Sequence, residues 1–113
     1  MDWKTIFNRH QSEINSFKKI NLRGTKNIKK LHSSYEFSLK QINQIIKVNI
    51  WENFDGTFTG LTNYSIKNQT QPSHYRDYYF YDTPEEALEK AISGITMHYQ
   101  PPYDQIDFKL EEY

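Results

Sequence analysis

The residues most able to build a metal or acid/base site in this 113-residue chain are its four histidines, His10, His32, His74 and His98. None has a second histidine four positions away or a carboxylate at a recognised ligand spacing, so the sequence predicts no metal site and no cofactor. His74 and Asp77 could work as an acid/base couple, but on one strand an odd spacing sends them to opposite faces. There is no G-x-S-x-G elbow, and the four glycines, Gly24, Gly56, Gly60 and Gly94, are too scattered for a phosphate loop. The absence of cysteine removes disulfides, thiolate metal sites and a cysteine nucleophile together. No catalytic residue is predicted, and the chain is expected not to be an enzyme.

Two clusters remain that could bind something. The first is basic: Lys18, Lys19, Arg23, Lys26, Lys29 and Lys30 fall between residues 18 and 30 without one acid. Such a window could follow a phosphate backbone, which makes nucleic-acid binding one expectation. The second is aromatic, S-H-Y-R-D-Y-Y-F-Y-D at residues 73 to 82. Read as a strand, it sets Tyr75, Asp77, Tyr79 and Tyr81 on one face and His74, Arg76, Tyr78 and Phe80 on the other. A carboxylate is costly inside, so the Asp77 face is expected to be exposed, with Tyr78 and Phe80 in the core. Tyr75, Asp77, Tyr79 and Tyr81, with Tyr64 nearby in sequence, are the expected partner-binding residues, because tyrosine is enriched at interface centres.

These clusters must be positioned by a small fold. The length is that of one domain, and the ring content, nine Tyr, seven Phe and two Trp, is that of a globular core. Trp3, Ile6, Phe7, His10, Ile14 and Phe17 recur at helical steps behind Asp2, predicting an amphipathic helix over about 3 to 20. Ile28 to Ile46 fits both periods; the pattern favours helix to about residue 33 and strand over 34 to 41. Ile46, Val48 and Ile50 alternate, and Asp55-Gly56 predicts a two-residue type I′ hairpin that sets Trp51 opposite Gly60. D-T-P-E-E-A-L-E-K-A-I, from Asp82, carries a Thr83 cap, Pro84 at the first helical position and Glu86 completing a capping box. That helix should bury Leu88, Ala91, Ile92, Ile95 and Tyr99 and end before Pro101-Pro102. Ile106, Phe108 and Leu110 alternate weakly. The fold class is therefore α+β: an antiparallel sheet of three to four strands, a C-terminal helix packed on one face and an N-terminal amphipathic helix. Residues 1 to 100 form a single domain and 101 to 113 an acidic tail or edge strand.

Two families share parts of this pattern. The order helix, three strands, helix is superficially that of a double-stranded RNA-binding domain, but where that family meets phosphates this chain has Pro84-Glu85-Glu86, which would repel RNA. Residues 45 to 99 resemble the HicB-type antitoxin module, a partial RNase-H-like β-β-β-α unit. The likeness is carried by E-N-F-D-G-T-F-T-G from Glu52 and the T-P-E-E-A-L-E-K-A helix from Thr83. T-N-Y-S-I-K-N-Q-T-Q-P stands where that family has its Pro/Gly-containing segment, and the family's DNA-binding helix pair is not matched. The resemblance implies a non-catalytic, partner-binding fold and carries over no active-site residue.

Charge is segregated. The net charge is zero, yet residues 1 to 43 hold nine Lys/Arg against three acids and residues 44 to 113 hold five against eleven. Segregated charge speeds encounter with a partner and makes a homodimer an open alternative. The first residues carry no apolar segment, so a cytoplasmic protein without membrane attachment is expected. Lysine outnumbers arginine 11 to 3, with 12 isoleucines, a bias of AT-rich codons expected in a low-GC bacterium or its phage. The expectation is a small intracellular protein that binds and inhibits or neutralises another macromolecule, of immunity, antitoxin or phage counter-defence type. A protein is the expected partner; a nucleic acid or a small molecule such as a nucleotide is the alternative.

Overall fold

A computed structural model describes residues 28 to 113. The expected N-terminal helix, and Lys18, Lys19, Arg23 and Lys26 of the basic window, lie outside the described residues. The described chain is α+β. Strands β1 (Lys29–Leu39), β2 (Gln44–Asn53) and β3 (Phe58–Thr62) form an antiparallel sheet in the order β1-β2-β3. Strands β4 (Tyr64–Lys67) and β5 (Asp107–Leu110) form a second, two-stranded antiparallel sheet. One helix, α1 (Pro84–Thr96), separates them in sequence.

The region expected to be helical up to residue 33 is strand from Lys29 onward. Pairing along β2, from Lys29 opposite Asn53 to Leu39 opposite Gln44, outweighs a helical period that Ile28 and Leu31 share with many strands. The ladder breaks between Leu31 and Ser33, a bulge that lets β1 change register.

On β2 the alternation sorts cleanly. Ile46, Val48, Ile50 and Glu52 are buried on the face that meets α1, while Ile45, Lys47, Asn49, Trp51 and Asn53 line the outer face. The hairpin is not type I′. Gly56 N donates to Asn53 O at 3.0 Å and Asn53 N to Thr57 O at 2.8 Å, closing a turn over residues 54 to 56. There only Gly56 is left-handed, at φ 88°. This is the longer loop with glycine in the left-handed position, and it shifts the register by one. Trp51 therefore faces Thr59, and Gly60 faces Ile50 on the helix side. Asp55 seals the turn by accepting from the Thr57 amide at 3.0 Å and its hydroxyl at 2.6 Å.

Helix α1 begins as its residues dictate. Thr83 is extended, its hydroxyl accepts from Glu86 N at 3.2 Å, and Pro84 supplies a preset φ. The helix ends at Thr96, and its buried residues are Ala87, Ala91, Gly94 and Ile95. It can lie close on the sheet because Gly60 has no side chain: a Cβ there would stand 2.6 Å from Ala87 O and 3.0 Å from Ala91 Cβ. Two apolar clusters result. Val48, Ile50, Ala87 and Ala91 fill the space under the helix, and Leu39, Ile46, Ile66 and Ile95 join the two sheets.

Asn63 makes the step between sheets. Its side-chain Oδ1 accepts from Lys47 N at 2.8 Å and its own amide donates to Lys47 O at 2.9 Å, so it finishes the β2 ladder while the chain turns away. No helix among the described residues is long and apolar enough to cross a membrane.

Candidate binding surface

Residues 73 to 82 are not a strand. They touch the sheets at two isolated bridges, Tyr75 with Ile66 and Tyr81 with Phe58, and are irregular between them. Each bridge is a reciprocal pair of backbone hydrogen bonds of 2.7 to 2.8 Å. Side chains add four further anchors. His74 Nε2 meets Asp107 Oδ2 on β5 at 2.7 Å. The Tyr75 ring stands edge-on to His98 at 5.0 Å. Arg76 Nη1 donates to Thr62 O at 2.6 Å and to Glu112 O at 2.7 Å, tying the segment to the end of β3 and to the chain beyond β5. Asp77 is buried against the helix, where a Cβ on Gly94 would come within 3.2 Å of Asp77 Cβ.

Asp77 reverses the sequence expectation. Its exposure is 5%, and the Tyr81 hydroxyl donates to both carboxylate oxygens at 3.0 Å. A buried carboxylate is tolerated where hydrogen bonds replace the water it loses. Burial, the hydrogen bond to Asp77 and then the nearby charges of Asp77 and Glu86 push the Tyr81 phenol up to about 12. Burial, and then the Asp77 charge, also raise the phenol of Tyr75. With Asp77 inside, the next three rings have nowhere to go but out. Tyr78, Tyr79 and Phe80 are 60%, 59% and 64% exposed.

Of the expected exposed face, then, Tyr79 is exposed, Tyr75 and Tyr81 are half-buried and Asp77 is interior; the expected core residues Tyr78 and Phe80 are on the surface. Alternation fails because it presupposes a continuous ladder, and between Tyr75 and Tyr81 there is none. Tyr64 is elsewhere, half-buried on β4 with its ring edge-on to Phe108 of β5 at 6.1 Å.

Two of the exposed rings, Tyr78 and Phe80, border an open groove of about 490 Å³ on the outer face of the three-stranded sheet. Trp51, Thr59 and Leu61 form its floor, Tyr78 and Phe80 one wall, and Phe54 and Asp55 of the hairpin loop another. Tyr78 and Tyr79 stack on each other with ring centroids 5.4 Å apart and planes 13° apart. Phe54 is 43% exposed at the rim. Sequence reasoning missed Phe54, Tyr78 and Phe80 as surface residues: Phe54 belongs to a hairpin loop longer than the expected one, and Tyr78 and Phe80 to a segment without a ladder. Half-buried Trp51 lies opposite Thr59 and not Gly60.

The basic window does not form one stripe. Lys29 and Lys30 are neighbours on a strand and point to opposite faces. Lys29 Nζ lies over the Trp51 ring, 4.4 Å from its centroid. Lys30 stands opposite Glu52 on the helix side, with its ammonium buried and without a hydrogen-bond partner among the described residues. His74 and Asp77 have separate partners, Asp107 and Tyr81. Among the described residues no three potential metal-ligating side chains group together. Comparison with protein-family models, with curated proteins and with solved structures finds no match to the chain.

Proposed function

We propose that this chain is a small, non-enzymatic binding protein that inhibits or neutralises another protein, in the manner of an immunity protein, an antitoxin of the type residues 45 to 99 resemble, or a phage counter-defence protein. One observation carries the proposal: three consecutive large rings, Tyr78 to Phe80, are about 60% exposed on a segment anchored at both ends by backbone bridges. Fully burying such a side chain is worth about 1.5 to 3 kcal/mol, a gain that the isolated chain forgoes three times over. Preorganised exposed rings are the feature that anchors interfaces, because they bury large area with little conformational entropy to lose.

The test is capture with the tagged full chain from a nuclease-treated bacterial lysate, followed by reconstitution with the purified partner. A one-to-one complex that loses at least tenfold in affinity with Tyr79→Ala or Phe80→Ala supports the proposal. Complex formation indifferent to both substitutions removes the surface from the argument. Nucleic acid recovered in place of a protein when nuclease is omitted favours the alternative carried by Lys26, Lys29 and Lys30.

A further inference from the structure

We propose that the groove on the outer face of the three-stranded sheet is the docking site of this chain's own N-terminal segment, with the apolar stripe of residues 3 to 17 lying on Trp51 and Leu61. The inference goes beyond the binding-protein reading and does not rest on it.

The outer face is apolar at one end. Cross-strand partners share a face, so Leu31, Trp51 and Thr59 form one row there, with Leu61 two residues further along β3. Tyr78 and Phe80 wall this end, and Leu31 is 46% exposed. Toward the other end β1 and β2 present Ser34 opposite Asn49 and Glu36 opposite Lys47, before a single exposed Ile45. At the apolar end Trp51 Nε1 is buried without a hydrogen-bond partner among the described residues, a donor that an occupant with polar side chains can satisfy.

The apolar end is also where the described chain begins. Ile28 lines the groove and Lys29 opens β1, so the 27 residues before Ile28 are tethered at the rim. Their sequence carries the complement: Trp3, Ile6, Phe7, Ile14 and Phe17 recur at helical steps, and Lys4, Arg9 and Lys19 fall off that stripe. A helix over residues 3 to 20, as the sequence predicts, would be about 27 Å long, close to the roughly 33 Å of ten-residue β2. Residues 21 to 27, with Gly24 among them, span up to about 25 Å, enough for such a helix to turn back over the sheet.

Charge does not choose the occupant, since the described lining carries one acid, Asp55, and one cation, Lys29. The tether does. A segment joined to the rim by a short connection meets the groove at an effective concentration of about millimolar, which a separate molecule matches only when it is that abundant. Helix α1 already packs on the opposite face, so the segment would complete a helix–sheet–helix arrangement. Tyr79 is not among the lining residues and stays available to a partner.

The chain has no cysteine, so Ser12→Cys, on the side of the predicted helix away from the stripe, gives the full chain a single site for a nitroxide label. Nuclear magnetic resonance then maps which amide signals the label broadens. The expected result is strong broadening at Leu31, Trp51, Thr59 and Leu61 and little at Glu89 and Lys90, which are exposed on α1. Ile6→Asp with Ile14→Asp, which puts charge on the stripe, should abolish that preference. Broadening that is greatest at Glu89 and Lys90, or equal on the two sides, overturns the proposal, and this comparison needs no disruptive substitution. A preference that survives Ile6→Asp with Ile14→Asp overturns it as well, because the stripe is then not the contact. Broadening passed from a spin-labelled chain to a separately isotope-labelled one overturns it in favour of a second copy. The binding-protein reading is judged apart from all of these, by capture of a partner and its loss with Tyr79→Ala.

Discussion

The seam between α1 and β3 and the loop from Tyr78 to Phe80 are close in the structure and follow opposite rules. At the seam the residues are as small as they can be: Gly60 faces Ala87 and Ala91, and a single added Cβ would meet Ala87 O at 2.6 Å. In the loop the residues are large and meet solvent, at 59 to 64% exposure. Residue size at the seam is dictated by the opposing surface, so folding explains it. No opposing surface within the described chain explains the three rings. Between the two regions lies Asp77, which is buried against Gly94 of the helix and accepts from the Tyr81 hydroxyl, closing the loop whose rings Tyr78 to Phe80 face solvent.

The largest effect of a substitution is expected at the seam. Gly60→Ala should destabilise the fold by about 3 kcal/mol, since the obstructing atom is helix backbone that moves only with the whole helix; urea denaturation measures it. A smaller loss, about 2 kcal/mol, is expected from Tyr81→Phe, which strips a buried carboxylate of its hydroxyl donor. In that variant, nuclear magnetic resonance should show the largest shifts between Asp77 and Phe80 and at Gly94.

Alkaline titration tests the same link without a change of packing. The Tyr81 phenol titrates at about 12 in the folded chain, against an ordinary value of 10. Above the ordinary value the unfolded chain loses this proton while the folded chain retains it. The contribution is therefore complete below pH 10 and is lost as pH rises toward 12. Denaturation midpoints should fall over that interval, and Tyr81→Phe should remove its part of the fall. The smallest effect belongs to the loop. Tyr79→Ala and Phe80→Ala should change stability by no more than about 0.5 kcal/mol, while costing the complex at least tenfold in affinity. Thermal unfolding that drops as far for Phe80→Ala as for Gly60→Ala would erase the contrast between the two regions.

Much of the architecture was legible in the residues. Thr83, Pro84 and Glu86 mark the start of α1 because capping is settled within one turn. Ile46, Val48 and Ile50 declare a half-buried strand because the strand period is a backbone property. Asp55-Gly56 located the hairpin, although not its register. A one-residue difference in loop length decides whether Gly60 faces Trp51 or Ile50, and the loop length followed from the Asn53–Thr57 pairing. The strand at 29 to 33 was misread as helix, because its pairing partners on β2 stand some twenty residues away.

The features readable from the residues alone are local: one capped helix, an alternating central strand, a turn at Asp55-Gly56, and a dense run of rings between residues 75 and 81. Which of those rings face water depends on long-range packing. Their orientation is set by contacts the segment receives from distant elements: Ile66 on β4, Phe58 on β3, Gly94 on α1, and the carbonyls of Thr62 and Glu112. A chain held by such contacts, and not by a continuous ladder, has no period of its own from which inside and outside could be read.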